Sequence, residues 1–169
     1  MRAGVALGSN LGDRPANLRA ARKQIVDFAG VQSPTLSSSI YETDPVSCEP
    51  GAGRFLNAVI EFEFDVDAAE LLTHLRAIES ALGREPEHAR NESRTLDLDF
   101  LYFGDARIDN EELQLPHPRM HLRKFVLAPL ADIRPDLVLP NQTKTVRELL
   151  ASLGESDRVS RLTNDWESP

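Results

Sequence analysis

The chain has 169 residues, a formal net charge of −8 and a single cysteine, Cys48. Its length suits one domain with a buried core, so we expect a single domain over residues 1–154 and a polar, frayed tail over 155–169. The acidic balance argues against general nucleic-acid binding, because neutralising phosphates requires a basic surface. No apolar run reaches membrane-spanning length, and the first apolar run is too short for a signal peptide. One cysteine cannot form an intrachain disulfide, and we expect a cytoplasmic protein.

The first part of the chain shows the pattern strand–helix–strand–strand–helix–strand. An apolar run at 3–8 predicts a strand, and residues 8–12 predict a tight turn. The spacing of apolar residues then predicts a helix that starts near Pro15 and ends before Gly30. Alternation at 35–41 and 55–64 predicts two further strands, with a Pro- and Gly-containing loop over 44–53 between them. Asp67 and Glu70 resemble a capping box, which begins a helix that ends at Gly83. This order is typical of a ferredoxin-like α+β sandwich, in which helices pack on an antiparallel sheet.

Two aspartates alternate with apolar residues in the next strand, over residues 96–103. A period of two directs Asp97 and Asp99 to the same side, with Cα atoms roughly 7 Å apart. Mg²⁺ is typically held by one or two carboxylates plus substrate phosphates. A strand with one solvated face would give the same pattern, so the spacing alone leaves both interpretations open.

Beyond Gly104 the sequence predicts a short hairpin around Asp105-Ala106, a turn at 116–118, a helix over 119–133 and a last helix over 145–153. Trp166 lies in the polar tail, so we expect it outside the core.

Arginines surround the aspartate strand. Arg84, Arg90 and Arg94 fall in a polar stretch over 84–94 that three glutamates make formally neutral. Such a loop could close over phosphates, or it could be a solvated surface loop. His117 lies between two prolines that fix its backbone, and it could donate to phosphate oxygens or be structural. Phe55 and Phe125 could enclose a flat heterocycle or belong to the core.

Five motifs occur in an order that resembles a known family: Gly8-Ser9-Asn10, Phe55-Leu56-Asn57, Arg94-Thr95-Leu96-Asp97-Leu98-Asp99, Pro116-His117-Pro118-Arg119-Met120 through Arg123, and Phe125-Val126-Leu127. Over about residues 2–150 the chain resembles 6-hydroxymethyl-7,8-dihydropterin pyrophosphokinases. That family has a ferredoxin-like fold.

The resemblance implies that pyrophosphate is transferred from ATP to the hydroxymethyl group of the pterin in folate biosynthesis, that AMP is released and that two Mg²⁺ ions take part. Asp97 and Asp99 then hold the metals, and the catalytic residues are Arg84, Arg94, Asp97 and Asp99. The implied ATP-binding residues are Glu79, Arg84, Arg94, Phe100, Leu113, His117 and Arg123. The implied pterin-binding residues are Thr43, Asp44, Val46, Phe55, Asn57 and Phe125. The expected partners are these small molecules, without nucleic acid or membrane, and the expected state is a monomer or weak dimer.

The stretch before the aspartate strand departs from the family. Residues 90–94 lack its usual Trp and Gly-Pro, and Glu92 adds a charge that repels ATP. An alternative is therefore a catalytically impaired paralogue that still binds pterin or nucleotide. A second alternative, an RNA-binding domain on the same fold, is opposed by the net charge and by an aspartate pair on a central strand.

Overall fold

The structure is a computed structural model that describes residues 1–45, 51–82, 94–154 and 158–166. Its elements are β1 (Arg2–Ser9), α1 (Arg14–Val26), β2 (Val31–Ser37), β3 (Ile40–Thr43), β4 (Phe55–Phe64), α2 (Ala68–Ala81), β5 (Asp97–Phe103), β6 (Ile108–Asp109), β7 (Gln114–Leu115), a 3-10 helix (Met120–Leu122), α3 (Lys124–Ile133), α4 (Val146–Ser152) and β8 (Val159–Thr163). The predicted order is confirmed, except that the second strand divides into β2 and β3.

In the part of the chain that the structure describes, six strands form one antiparallel sheet in the order β5-β1-β4-β3-β8, with β2 also paired to β4. Helices pack on both faces of this sheet. One core includes Leu18 of α1 and Leu75 of α2, and the other includes Leu130 of α3 and Leu149 of α4. We call the second side the α3 face. The predicted antiparallel sheet with helices packed on it is therefore confirmed.

Side-chain caps fix where the helices begin. Asp13 accepts a hydrogen bond from a backbone N–H of the first turn of α1, and Asp67 does the same for α2. Thr145 and Glu148 form a complete capping box at α4, where the sequence predicts the last helix. Within the described ranges, no helix has the length and apolar character needed to cross a membrane.

The prediction of a frayed tail is wrong for residues 158–166. β8 pairs with β3, and Trp166 is only 8% exposed. Its Nε1–H donates to the carbonyl oxygen of Ser38 at 2.8 Å, 128 positions earlier in the chain. The side chains of β8 are largely exposed, so no hydropathy pattern marks the strand. Residues 155–157 and 167–169 lie outside the described residues.

Three local predictions also need correction. The hairpin expected around Asp105-Ala106 is formed by β6 and β7, and Asn110 accepts two backbone hydrogen bonds in its turn. The helix expected over 119–133 is a 3-10 turn followed by α3 from Lys124. The aspartate strand β5 pairs with β1 alone among the described strands, so it is an edge strand rather than a central one.

Candidate active site

One row of the sheet joins the two halves of the predicted site. Gly8 of β1 pairs with Asp97 of β5 on one side and with Asn57 of β4 on the other, and Asn57 pairs in turn with Tyr41 of β3. Directly paired residues place their side chains on the same face. The hydroxyl of Tyr41 donates to Asp132 of α3 at 2.8 Å, which identifies that face as the α3 face. Asp97 and Asn57 therefore flank Gly8 on the α3 face.

Asp99 follows Asp97 by two residues on β5 and shares its face, as the period of two predicts. Each of the two carboxylate side chains is 29% exposed. Nη1 of Arg94 lies 2.5 Å from Oδ1 of Asp97, and Nη1 of Arg123 lies 2.7 Å from Oδ2 of Asp99. Each aspartate is thus paired with one of the arginines that the sequence analysis placed at the ATP phosphates.

His117 lies beside this pair of ion pairs. Its Nε2 is 3.9 Å from Oδ1 of Asp99, which is too long for a hydrogen bond. Its Nδ1 accepts from the N–H of Arg119 at 3.2 Å, which assigns the neutral-state proton to Nε2. Burial is the main influence on the pKa of His117 and lowers it; the charge of Asp99 opposes this, and the charge of Arg123 reinforces it. A neutral imidazole therefore faces Asp99 with a donor.

Two asparagines hold the chain where it enters β5. Oδ1 of Asn10 accepts from the N–H of Arg94 at 2.6 Å, and the N–H groups of Asn10 and Leu11 donate to the Arg94 carbonyl at 3.0 and 3.2 Å. Nδ2 of Asn17 donates to the carbonyls of Leu11 and Thr95 at 3.0 and 3.1 Å. The turn after β1 thus positions Arg94, which is the strand–turn–helix geometry predicted for residues 8–12.

Glu79 supports β5 from the other side. This α2 residue is 5% exposed, and its Oε1 accepts from the backbone N–H of Leu98 at 2.8 Å. Leu98 lies between the two aspartates, so Glu79 satisfies a donor on the edge strand that carries them. A strand with a neighbour on one side only leaves such groups unpaired unless a side chain reaches them.

Asn57 and Phe55 form the other half of the site with Thr43. Nδ2 of Asn57 donates to Oγ1 of Thr43 at 2.7 Å, and both residues are buried. A Cβ built on Gly8 would lie 3.2 Å from Oδ1 of Asn57 and 3.9 Å from Cδ1 of Phe55. The missing side chain of Gly8 therefore leaves space bounded by an amide oxygen and an aromatic edge.

Phe125 lies at the start of α3, the helix that covers this face. The guanidinium carbon of Arg123 is 5.5 Å from the centre of the Phe125 ring, a cation–π distance. Arg123 therefore contacts Asp99 on one half of the site and Phe125 on the other.

A charged network lies at the same end of the sheet. Nη1 of Arg14 donates to Glu42 at 3.2 Å, and Arg54 contacts Glu42 at 3.2 Å and Asp44 at 3.0 Å. Burial acts to raise the pKa of Glu42, but the hydrogen bonds from Arg54 and Arg14 outweigh it and hold that pKa below its usual value. The network ties α1, β3 and the start of β4 together next to Thr43.

Two further predicted residues, Phe100 and Leu113, lie on the opposite face of the sheet from α3. Phe100 is buried in the core under α1 and α2, in edge contact with Phe103 at 6.1 Å, and Leu113 packs against the same core. They lie on the α2 side of β5 with Glu79. Arg84 and Val46 lie outside the described residues.

The contacts of Gly8, Asn10 and Asn17 were not predicted from the sequence. Residues 8–12 form the expected turn, but no local pattern connects this turn with Arg94. A signal was available in two asparagines beside a tight turn, since an Asn amide readily bonds backbone groups. Gly8 belongs to the Gly8-Ser9-Asn10 motif, but the reason for a glycine at this position depends on the register of three strands.

The donor set fits a hard cation that shares its ligands with a substrate. Across residues 1–45, 51–82, 94–154 and 158–166, no three His, Cys, Asp or Glu side chains form a group that could hold a metal ion. A pair of carboxylates on one face suits Mg²⁺, which is commonly held by one or two carboxylates and by substrate phosphates.

A family model described as 7,8-dihydro-6-hydroxymethylpterin-pyrophosphokinase matches residues 4–135. The chain is 49% identical over 129 residues to the 2-amino-4-hydroxy-6-hydroxymethyldihydropteridine pyrophosphokinase of Bacillus subtilis, covering 76% of this chain and 75% of that protein. It is 39% identical over 155 residues to the protein of the same name from Haemophilus influenzae, covering 92% and 94%.

The fold is similar to that of solved structures. A Plasmodium falciparum HPPK-DHPS chain matches with a TM-score of 0.69 at 14% identity, covering 89% of this chain and 44% of that one. This similarity concerns the fold alone, and this chain spans less than half of that longer protein.

Proposed function

The chain belongs to the 7,8-dihydro-6-hydroxymethylpterin-pyrophosphokinase family, and from this we infer that it transfers pyrophosphate from ATP to the hydroxymethyl group of 6-hydroxymethyl-7,8-dihydropterin. It is an ATP-dependent transferase of folate biosynthesis. The structural observation that supports this most is the row Asp97–Gly8–Asn57, which places a carboxylate suited to metal and phosphate next to an amide suited to a heterocycle.

The reaction needs no covalent intermediate on the protein. The hydroxymethyl oxygen forms a bond to the β-phosphorus of ATP, and the bond from that phosphorus to the α,β-bridging oxygen breaks. AMP leaves with the electron pair, and the hydroxyl proton passes to solvent. In such a reaction the protein contributes chiefly positioning and neutralisation of charge on the phosphate oxygens.

We assign Asp97 and Asp99 as the carboxylates that hold Mg²⁺, with two ions expected. When bound, Mg²⁺ would neutralise phosphate charge and lower the pKa of the attacking hydroxyl. The support is that both side chains share one face and are partly exposed.

The ATP phosphates are then held by Arg94, Arg123 and the Nε2–H of His117. A neutral histidine still donates one hydrogen bond from Nε2, while the arginines supply charge and forked donors. Arg84 is assigned to the same role from the family resemblance. On the other side of β5, Glu79, Phe100 and Leu113 are assigned to the adenine, with the Glu79 carboxylate engaged at Leu98.

The pterin is placed between Phe55 and Phe125, with Asn57 at its edge. The donation from Nδ2 of Asn57 to Thr43 fixes the amide so that Oδ1 is left as an acceptor beside Gly8. A pterin edge offers N–H donors that such an oxygen can accept. The backbone at Thr43 and Asp44 belongs to the same edge, and Val46 is assigned there from the resemblance.

The impaired-paralogue alternative rests on Asn91, Glu92 and Ser93, which replace the family's usual Trp-Gly-Pro and lie outside the described residues. The residues described at the site do not favour it. Asp97, Asp99, Arg94 and His117 lie close together, and Asn57 lies within the same row.

The deciding experiment incubates the protein with ATP, Mg²⁺ and 6-hydroxymethyl-7,8-dihydropterin and quantifies adenine nucleotides by chromatography. We expect AMP in a 1:1 ratio to pterin consumed and none without pterin. ADP as the product would indicate ordinary phosphoryl transfer. Substrate binding without AMP would support the impaired paralogue instead.

We further propose that residues 1–154 form one pyrophosphokinase domain to which β8 adds a sheet strand, and that the protein acts in the cytoplasm as a monomer or weak dimer on small molecules, without nucleic acid. The lone cysteine supports the location, and the net charge of −8 supports the absence of nucleic acid.

A further inference from the structure

The C-terminal strand β8 borders the strand that carries Thr43. β3 has only four residues and lies between β4 and β8. Thr43 pairs with Phe55 of β4 on one side and with Val159 of β8 on the other. The N–H of Asp44 donates to the Arg158 carbonyl at 3.3 Å, so the pairing continues past the end of β3.

Trp166 anchors β8 at the opposite end. Its indole N–H donates to the Ser38 carbonyl at 2.8 Å in a buried position. The guanidinium of Arg22 lies 5.5 Å from the Trp166 ring, and Nε of Arg161 donates to Oγ of Ser39 at 2.7 Å. These contacts hold residues 158–166 along the whole length of β3.

Two consecutive contacts connect β8 to the pterin half of the site. β8 pairs with the backbone of Thr43. Within the described residues, Nδ2 of Asn57 donates a single hydrogen bond, which Oγ1 of Thr43 accepts. Without β8, β3 would be a four-residue edge strand, and short edge strands open readily. The orientation of the Asn57 amide then depends on a segment that meets the site at the backbone of Thr43 and Asp44.

We propose that β8, anchored by Trp166, is a positioning segment that orders Thr43 and thereby the Asn57 amide for the pterin. This rests on the proposed function. No such connection leads from β8 to β5 or Arg94 among the described residues, so the segment acts on pterin affinity and leaves ATP affinity unchanged.

Ser160 offers a matched pair of variants in the full-length chain. Its side chain is exposed, so Ser160→Ala is the control. Hydrogen-bonded pairs alternate along an antiparallel ladder, so the bond at Asp44–Arg158 directs the Ser160 N–H towards Glu42, and Ser160→Pro removes that donor. Trp166 is the only tryptophan in the chain, so its emission reports whether the segment stays docked.

The readouts are Trp166 emission, the Kd of MgATP and the Kd of hydroxymethyldihydropterin in the presence of Mg²⁺ and the α,β-methylene analogue of ATP, which blocks transfer. We expect Ser160→Pro to shift the emission to the red and raise the pterin Kd about tenfold, with the MgATP Kd unchanged within about twofold. Ser160→Ala should match the wild type. Phe28→Ala controls for general destabilisation, because Phe28 packs on His74 and on Phe64 at the end of β4 that is far from the site.

An undocked Trp166 with an unchanged pterin Kd overturns the proposal. The proposal is also overturned if Ser160→Pro weakens pterin and MgATP binding together, by the same factors as Phe28→Ala does at an equal drop in Tm. If β8 stays docked in Ser160→Pro, the Trp166→Ala variant is tested instead, and amide hydrogen exchange of Ile40–Thr43 reports whether β8 is released. An unchanged pterin Kd in a Trp166→Ala protein with released β8 also overturns the proposal. A wild-type protein that binds no pterin would contradict the proposed function instead.

Discussion

Gly8 and Asn57 face each other across the β1–β4 ladder, and a Cβ on Gly8 would lie 3.2 Å from Oδ1 of Asn57. That distance is tighter than ordinary contact, so a side chain at position 8 would have to displace the amide. The same Cβ would be 3.8 Å from Cβ of Asp97, an ordinary separation. Crowding at Gly8 therefore falls on the half of the site that we propose binds the pterin.

We expect Gly8→Ala to weaken pterin binding by about tenfold and Gly8→Val to weaken it further, because each enlarges the group that meets Asn57. The measurement is the KM for pterin against the KM for ATP. Gly154→Ala is the matched control, since a Cβ there meets nothing within 4 Å. Equal KM values for pterin in Gly8→Ala and wild type would contradict the assignment of this space.

Replacing either Asp97 or Asp99 by Ala should lower turnover by at least about 100-fold, since metal stabilisation of phosphate charge is worth several kcal/mol. The folded state should change little, because each carboxylate pairs with an arginine at a partly exposed position, and such pairs contribute about 1 kcal/mol or less. Steady-state AMP release and Tm test the two statements. Asp105→Ala, in the exposed turn after β5, should retain wild-type turnover; near-wild-type rates in Asp97→Ala or Asp99→Ala would remove the metal assignment.

Glu79→Ala should destabilise the protein by about 1–3 kcal/mol, the cost of leaving the buried N–H of Leu98 without an acceptor. It should also reduce AMP release, because Leu98 lies between the two aspartates. Glu79→Gln keeps an acceptor oxygen and should recover most of both losses. Denaturant unfolding and the AMP assay provide the comparison, and a glutamine variant as impaired as the alanine variant would show that the charge itself is required.

Both tyrosines should titrate abnormally. Burial and the hydrogen bond to Asp132 raise the pKa of Tyr41 to about 12. Burial and the nearby Glu61 raise the pKa of Tyr102 well above its usual value. We therefore expect no tyrosinate absorbance at pH 10 in the native protein, whereas both residues should ionise near pH 10 in urea.

The sign of the stability change follows from these shifts. Between pH 10 and about 12 the folded protein binds more protons than the unfolded chain. The contribution of Tyr41 to the free energy of unfolding is therefore fully present below pH 10 and is lost as the pH rises through this interval. Tyr41→Phe should abolish the absorbance step near pH 12 and leave the Tyr102 step. A native titration step at pH 10 would contradict the described environments.

Local patterns predicted the elements that carry the site, and long-range pairing supplied what they could not. Alternation identified β4 from Phe55 and the strand of Asp97 and Asp99, because one face of each strand is consistently apolar. The same rule fails for β8, where most side chains are exposed and stability comes from the backbone ladder and Trp166. Position in the sheet was also invisible to periodicity, so β5 was predicted to be central.

The contacts within the site show a similar division. Residue type and spacing left the metal and phosphate roles open, and the family resemblance assigned them. Which arginine meets which aspartate depends on the tertiary fold. Arg123 reaches Asp99 from the start of a helix 24 positions later. No local pattern specifies that pairing.

The ion pairs Arg94–Asp97 and Arg123–Asp99 have a thermodynamic consequence for the binding of nucleotide and divalent cation. Nucleotide alone would draw the two arginines away from the two carboxylates, while a divalent cation alone would draw the carboxylates away from the arginines; either change separates both ion pairs. When nucleotide and cation bind together, each arginine exchanges its aspartate for a phosphate, and each aspartate exchanges its arginine for the cation. Binding of the two is therefore linked, and by reciprocity each strengthens the other by the same factor.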